Sequence, residues 1–401
     1  MRGGAKRWSV ITAMAVVAVL AVVSGCSNEL MDVDVAETEP ETQSEPEAQE
    51  EPITHRVTFD RQGGSGGSTA VTVSLGSPMP QAAAPTRSGY VFGGYYSGIG
   101  GSGTQYYTAS MESARSWDIP SDVELVAFWA DAVSPHVGAM RYVPGGTFQR
   151  DGTASNTTTV SPFRMSVYPI TQAQYVAVTG TANPSNFSSG VDAPNRPVET
   201  VSWYDALVFC NMLSIAEGRT PVYTIAGSTN PADWGAVPAA SDATWNAAIM
   251  NLAADGYRLP TEAEWMWAAM GATSGHDYPG SGVYTTGYLK AFAGSTGSNS
   301  IDDYAWYGPN SGGTTHPVGA KLPNELGLYD MSGNVWEWTW DRLASYPAGS
   351  LSDPRGPASG ASRVLRGGSW ANNAPFCTVA YRFSLSPPLR GSSLGFRVVS
   401  R

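Results

Sequence analysis

The stretch Glu325–Asp341, ELGLYDMSGNVWEWTWD, places a glycine-containing turn between two runs of aromatic and aliphatic residues. Its centre, DMSGN, is typical of a tight turn, because Gly and Asn accept left-handed backbone angles at little cost. The flanking Trp, Tyr, Leu and Val side chains favour extended, buried chain. The stretch therefore predicts two strand-like runs joined by a turn in an aromatic core.

The rest of the 401-residue chain has the same character. It contains 13 Trp, 19 Tyr and 45 Gly, and few long segments have helical periodicity. Such a composition favours short strands and loops packed around aromatic side chains, in two or three domains.

Two segments nevertheless predict helices, VSWYDALVFCNML (Val201–Leu213) and YRLPTEAEWMWAAM (Tyr257–Met270). Each begins with a capping box, in which a Ser or Thr is followed three residues later by an acid: Ser202 with Asp205, and Thr261 with Glu264. Cys210 falls on the apolar face of the first helix, which predicts a buried structural thiol.

Short strands are expected at both ends of this region. MRYVPGGTF (140–148) reads as strand, turn and strand, and RVLRGGSW (363–370) and LGFRVVS (394–400) as the last strands. The segment between those last strands is predicted to be a loop.

The N-terminus predicts export. Residues 1–25 have a basic start followed by an apolar run, which is typical of a secretory signal peptide. The sequence VSGC resembles a bacterial lipobox, which makes Cys26 the lipidated N-terminus of a membrane-anchored lipoprotein, displayed at the cell surface. An ordinary signal peptide or a transmembrane anchor is the alternative, although the apolar run is short for a span.

Residues 26–53 predict an acidic, disordered tether. They contain ten Asp or Glu and no Lys or Arg, against a net charge of −11 for the whole chain. The rest is close to neutral, so no nucleic-acid-binding face is expected.

Residues 54–131 contain four alternating strand-like runs separated by Gly-rich turns. The segments VTFD, APTRSGYVFGGYY and ELVAFWA resemble the Listeria–Bacteroides repeat, a small β-grasp-like module of bacterial surface proteins. The resemblance implies a spacer or stalk.

Residues 132–401 resemble the formylglycine-generating-enzyme (sulfatase-modifying-factor) family. The resemblance rests on YVPGGTF, the two helical segments, the Glu325–Asp341 stretch, RVLRGGSW and GFRVV, in the family's order. It implies an α+β chain: a C-type-lectin-like domain with little regular secondary structure and two helices, preceded by the small β-grasp-like module.

The family's oxidases hold copper with two thiolates spaced Cys-x4-Cys, and this chain lacks the first. Cys377 stands at the second position, while the first is Asn372. An amide does not replace a thiolate for Cu(I). We therefore expect no enzyme and no copper; a copper-dependent oxidase is the alternative.

Other catalytic patterns are weak. His55, His136, His276 and His316 have no metal-binding spacing. Two pairs of carboxylates have the residue types for acid–base work. For Glu262–Glu264 and Asp302–Asp303, however, we expect a helix cap and ordinary loop residues.

The family resemblance also implies a structural calcium ion at the turn. Its ligands are the side chains of Asp330 and Glu337 and the carbonyls of Gly333 and Val335, oxygen donors that suit calcium. The alternative is that Asp330 caps the turn and Glu337 bonds internally. Both remain open, and no cofactor is required.

The C-terminal region, about 366–399, resembles the variable region in targets of diversity-generating retroelements. Such elements rewrite adenines, so that Asn codons give Phe, Tyr, Ser, Leu, Val, Thr or Gly, but not Lys, Glu, Gln, Met or Trp. The chain keeps the expected frame, including Arg366, Cys377, Arg382 and Arg390, and none of those five residue types falls between the frame positions. The ligand-binding positions implied are Phe376, Thr378, Val379, Tyr381, Phe383, Ser384, Leu385, Ser386, Leu389, Gly391, Ser392 and Ser393.

These observations favour a surface lipoprotein that binds a ligand through a diversified loop face. Aromatic side chains give large contact area, with Phe376, Tyr381, Phe383 and Leu385 as exposed anchors, whereas Trp370 and Leu394 are expected in the core. We expect a protein or other macromolecule as the ligand, a monomeric state, and no other membrane contact than the lipid. An envelope scaffold protein is the third hypothesis.

Overall fold

The computed structural model describes residues 52–87, 90–131, 133–272 and 287–401. The predicted signal peptide, Cys26, nearly all of the tether and His276 lie outside the described residues. Ile53–Arg401 form one compact unit.

The N-terminal module is a five-stranded mixed sheet. In spatial order its strands are β2, β1, β5, β3 and β4, with β1 and β5 parallel and the other pairs antiparallel. Their bounds are β1 Thr54–Asp60, β2 Ala70–Ser74, β3 Tyr90–Tyr96, β4 Gln105–Tyr107 and β5 Val123–Asp131. The four expected strands are present, and β4 is an additional one. Phe59, Tyr95, Tyr107 and Trp117 fill the core between the sheet and its loops.

The larger domain is built from short strands in several small sheets. The strands are β6 Val133–Ser134, β7 Gly138–Val143, β8 Gly146–Gln149, β9 Thr157–Val160, β10 Phe163–Ser166, β11 Tyr223–Thr224, β12 Ile249–Met250, β13 Trp336–Arg342, β14 Leu351–Ser352, β15 Arg363–Arg366, β16 Phe383–Leu385, β17 Leu394–Gly395 and β18 Val399–Ser400. The sheet orders are β18-β10-β7-β6, β16-β15-β13-β17, β14-β9-β8 and β11-β12.

Both predicted helices are present, and the described residues contain two further α-helices. Their bounds are α1 Gln172–Thr179, α2 Trp203–Ala216, α3 Ala243–Asn246 and α4 Glu262–Ala269. The capping boxes of α2 and α4 form as predicted, and α1 begins with a third one, from Thr171 and Gln174. The expectation of two helices was thus too low for the described residues; α3, with four residues, is too short for apolar periodicity to be visible.

The opening stretch forms a strand on one side of its turn only. β13 follows the turn, but Glu325–Met331 form turns and irregular chain. The Asn324 side-chain oxygen accepts bonds from the N–H groups of Leu326 and Leu328, and Gly327 and Asp330 have positive φ angles. These local turns replace the first strand that the aromatic pattern predicted.

The main core lies between α2 and the β13 sheet. Trp203, Trp338 and Phe396 are fully buried there, with Cys210 among them. Burial raises the pKa of the Cys210 thiol, which confirms the predicted inert structural cysteine.

Candidate ligand-binding face

The segment between the last strands contains a strand of its own. Phe383–Leu385 form β16, which pairs antiparallel with Arg363–Leu365 of β15. The prediction of a loop throughout was therefore wrong for these three residues. The backbone of this part of the face is held by a sheet whose other strands belong to the core.

Arg382 and Arg390 of the frame pair with acids that are distant in the sequence. Arg382 donates from Nε and Nη2 to the two oxygens of Glu262, at 2.6 and 2.7 Å. Arg390 binds Asp205 in the same two-pronged way, at 2.8 and 3.0 Å. Such bidentate charged bonds are short and geometrically specific. They fix the segment to the first turns of α4 and α2.

Three aromatic side chains of the segment form a cluster. Phe376 packs against Tyr381 with ring centroids 4.9 Å apart. Tyr381 and Phe383 lie 5.9 and 5.4 Å from the ring of Trp336, which is buried. Phe383 is 39% exposed, and Leu389, which follows shortly after it in the sequence, is 46% exposed. Trp336 thus supports an aromatic surface made of predicted binding positions.

Most other predicted positions are partly exposed and hold the fold through their main chain. The half-buried ones are Phe376, Thr378, Tyr381, Ser384, Leu385, Ser386, Gly391, Ser392 and Ser393. The carbonyls of Gly391, Ser392 and Ser393 accept bonds from Thr200 N, Trp370 Nε1 and Trp336 N. Because carbonyl groups do not depend on the side chain, substitution there leaves these bonds in place.

Val379 was predicted as a ligand-binding position, but the structure buries it. It is 0% exposed and packs in a core with Trp265 and Val399. The side chain contacts no solvent, so it is not available to a ligand. Its residue type gave no warning, since valine suits a core and a diversified position equally well.

Trp370 lies at the border of the face instead of in the core. It is half-buried, packs edge-on against Phe187 at 5.3 Å, and donates from Nε1 to the Ser392 carbonyl. Leu394, by contrast, is 4% exposed, as predicted. Trp336 and Phe187 were missed in the sequence, although the run WEWTW marked Trp336 as part of an aromatic strand.

The candidate copper position has no thiolate character. Cys377 is fully buried, and burial raises the pKa of its thiol to about 12, despite hydrogen bonds from Gly333 and Ser369. The Asn372 side-chain oxygen accepts a bond from Ser369 Oγ at 2.6 Å. The first position of the thiolate pair thus holds an amide that is engaged with Ser369, and an amide does not replace a thiolate for Cu(I).

The four residues of the candidate calcium site lie at the turn before and at the start of β13. Both oxygens of Glu337 are engaged: they accept bonds from Arg397 Nε and Nη2 and from Trp265 Nε1, all at 2.7 Å. Asp330 is buried, and accepts bonds from Gly319 N and Asn334 Nδ2. Burial raises the pKa of Asp330 to about 6. Arg397 already supplies the positive charge beside Glu337, so this set does not fit calcium well.

The remaining candidate groups are structural. Glu264 pairs with Arg258 at 2.6 Å, Glu262 pairs with Arg382, and Asp302 and Asp303 belong to a short 3-10 helix. In the described part of the chain, no three His, Cys, Asp or Glu side chains come together as a metal site.

Comparison with known proteins agrees with this architecture. The family model "Sulfatase-modifying factor enzyme 1-like domain" matches residues 129–401, and the Listeria-Bacteroides repeat model matches residues 55–127. The solved structure of Treponema denticola variable protein 1 is 39% identical, with a TM-score of 0.57, over 66% of this chain and 97% of that one. The α+β, C-type-lectin-like fold after a small β module is thereby confirmed.

Sequence relatives have diverse names. The chaperone protein LppX of Paenibacillus barcinonensis is 34% identical over 276 residues, which cover 64% of this chain and 87% of that protein. A formylglycine-generating enzyme of Streptomyces coelicolor is 38% identical over 159 residues, 38% of this chain and half of that enzyme. Other relatives are named inactive C-alpha-formylglycine-generating enzyme 2.

Proposed function

Because this chain belongs to the sulfatase-modifying factor enzyme 1-like family, we propose that it is a non-enzymatic member that binds a ligand through a diversified C-terminal face. The proposed face consists of the exposed and half-buried positions between Phe376 and Ser393. Its ligand is a macromolecule, recognised through shape and aromatic contact.

The proposal rests on the different roles of the frame residues and of the residues between them in this segment. Frame residues such as Arg382 and Arg390 form ion pairs with Glu262 and Asp205, at the first turns of two helices. Phe383 and Leu389 are exposed to solvent. The serines between them form hydrogen bonds within the fold through their main-chain groups. A scaffold that keeps its stabilising contacts in fixed residues tolerates change in the others, which is what a diversified binding site requires.

The likeness to Treponema denticola variable protein 1 supports the same function. That protein is named for variability, and its match covers 66% of this chain. The aromatic cluster on Trp336 gives a rigid contact area of the kind that binding loops use.

The oxidase alternative has little support in the site. Asn372 stands where the family resemblance implies a thiolate, and Cys377 is fully buried. Oxidation at copper needs both thiolates. The inactive relatives are consistent with loss of activity in this family.

We place the domain on the outside of a bacterial membrane, held by a lipid on Cys26. The lipobox-like VSGC and the acidic tether support this placement. Among the described residues, none of the helices has the length and apolarity needed to span a membrane.

Sequencing the 3′ end of the gene and its flanks across many cells tests the proposal. We expect a nearby near-copy that differs where it has adenine, and variation confined to codons of the outward positions. Invariance of these codons, without such a copy, contradicts a diversified face and favours the envelope scaffold. Copper-dependent oxygen consumption on a cysteine peptide would instead support the oxidase.

A further inference from the structure

A cavity lies away from the proposed face. It has a volume of about 340 Å³ and is enclosed by α4, the end of β13 and the segment 344–357. None of the twelve predicted binding positions lines it. Its volume is at the lower end of small-molecule sites, which span roughly 300–1,000 Å³.

The floor of the cavity is apolar. Phe148 and Met266 are buried, and Tyr346, Leu351 and Pro354 cover the sides. An aromatic or aliphatic group placed there removes apolar surface from water, which favours binding by about 25 cal/mol per Å².

The polar groups of the wall are mainly cationic. Four arginines line the cavity, Arg150, Arg342, Arg355 and Arg382, against the two carboxyl groups of Glu262 and Asp341. Glu262 is already paired with Arg382. Burial and the neighbouring Glu262 raise the pKa of Asp341 to about 8, so that it is largely uncharged at neutral pH. The wall therefore has an excess of positive charge.

Arg150 is a buried positive charge in the wall of the cavity. It is 3% exposed, and its terminal nitrogens donate to the carbonyls of Thr157, Pro347 and Gly349 and to Thr158 Oγ1. Its Nε–H has no partner among the described residues. A buried donor without an acceptor costs about 1–3 kcal/mol, more for a charged group. Carbonyl partners also leave the guanidinium charge uncompensated.

We propose that this cavity binds a small apolar carboxylate, with its aromatic or aliphatic body on the Phe148–Met266 floor and its carboxylate toward the arginines. Carboxylates match arginine geometry and add the charge that the wall lacks. The site is separate from the variable face, so the two proposals stand or fall independently.

Indole-3-acetate is a suitable probe, with uncharged indole-3-acetamide as its matched control. Binding is measured by ligand-observed NMR and calorimetry on the full-length chain in lipid nanodiscs, with empty nanodiscs subtracted. We expect the acetate to bind with Kd below about 1 mM, at least about tenfold tighter than the amide, since only the acetate pairs with the arginines.

Two variants at exposed positions of the rim test the location without disturbing the core. Arg355→Glu reverses a charge, and Ser345→Trp blocks the opening; both residues line the cavity and are exposed. We expect each to weaken acetate binding at least about tenfold, with unchanged Tm in the absence of ligand. Arg56→Glu makes the same charge change at an exposed position of β1 and should bind normally.

Three results overturn the proposal. Equal binding of acetate and amide removes the role of the arginines. Unchanged binding by both rim variants places the ligand elsewhere. Failure of the wild-type chain to bind the acetate at about 5 mM, well above the expected Kd, rejects an apolar-carboxylate site.

Discussion

At the residue scale, Arg382 shows how a variable segment is fixed without restricting its neighbours. Its guanidinium binds both oxygens of buried Glu262 and lies 4.0 Å from the ring of Tyr346. The next residue, Phe383, is 39% exposed. Arg382 immediately precedes β16, so the ion pair and the exposed ring lie on neighbouring residues. One contributes to stability, and the other is available for contact with a ligand.

Arg382→Ala should therefore destabilise the domain more than Phe383→Ala. Removing one partner of a buried ion pair costs about 3–5 kcal/mol, because Glu262 is left buried and only partly compensated by Arg366 at 3.6 Å. Truncating a partly exposed phenylalanine should cost about 1 kcal/mol. Urea unfolding followed by tryptophan fluorescence measures both. Equal losses would show that the frame and face are not energetically distinct.

Asp341 predicts a pH dependence of stability. Burial and the charges of Glu262 and Glu264 raise its pKa to about 8, whereas Glu262 N–H and Arg363 act in the opposite direction. The unfolded value is about 3.9, so the folded state binds the extra proton between these two values. The free energy of unfolding should then fall as pH rises from about 4 to 8.

Asp341→Asn tests this linkage. Its side-chain oxygen can still accept the bond from Glu262 N, which is 2.8 Å in the wild type. We expect a flatter stability profile between pH 6 and 8, above the pKa of Asp330 at about 6. Denaturant unfolding at half-unit pH steps gives the slope. A profile as steep as that of the wild type would assign the titration to another group.

At the element scale, the first turns of α2 and α4 serve the face as well as their helices. Asp205 accepts the Ser202 N–H in the capping box and also binds Arg390. Glu262 begins α4 and holds Arg382. Acidic side chains in a first turn also interact favourably with the helix dipole. Each helix start is thus an anchor for the C-terminal segment.

Ser202→Ala should lower the free energy of unfolding by about 1 kcal/mol, because the N–H of Asp205 loses its capping acceptor. Chemical denaturation gives the value, and Ser188→Ala at an exposed position is the matched control. A loss no larger than that of the control would mean that the Asp205–Arg390 pair alone fixes this turn.

The sequence predicts elements whose signals are local. The capping boxes at Ser202 and Thr261 determine where α2 and α4 begin, and they were recognisable from spacing alone. The partners of Arg382 and Arg390 were not, because Glu262 and Asp205 are 120 and 185 residues away in the chain. The strand β16 and the burial of Val379 depend on the same long-range packing, which explains both errors within the face.

At the scale of the whole molecule, the contacts that stabilise the C-terminal segment are largely distinct from the side chains of the proposed ligand-binding face. Most stabilising contacts of the C-terminal segment are ion pairs and main-chain bonds to helices and sheet formed earlier in the chain. The face itself contributes mainly the aromatic cluster on Trp336. A fold organised in this way should tolerate many different combinations of residues at the positions of the face.

The strongest test replaces the polar residues of the face together. The half-buried polar positions of the face, changed together to asparagine, are Thr378, Ser384, Ser386, Ser392 and Ser393. We expect the variant to unfold cooperatively and to lose no more than about 10 °C in Tm, because polar substitutions at partly exposed positions cost below about 0.5 kcal/mol each, and 1 kcal/mol lowers the Tm of a domain of this size by about 2–4 °C. Calorimetry measures the shift. The matched frame variant, Asp205→Ala with Glu262→Ala, removes the carboxylate partners of Arg390 and Arg382 and should lose more, about 10 °C or more, since breaking the buried Glu262 pair costs about 3–5 kcal/mol and loss of Asp205 also removes the capping box of α2. If the five-residue variant fails to fold while the frame variant folds normally, the roles are reversed, and the segment is a structural part of the domain instead of a replaceable face.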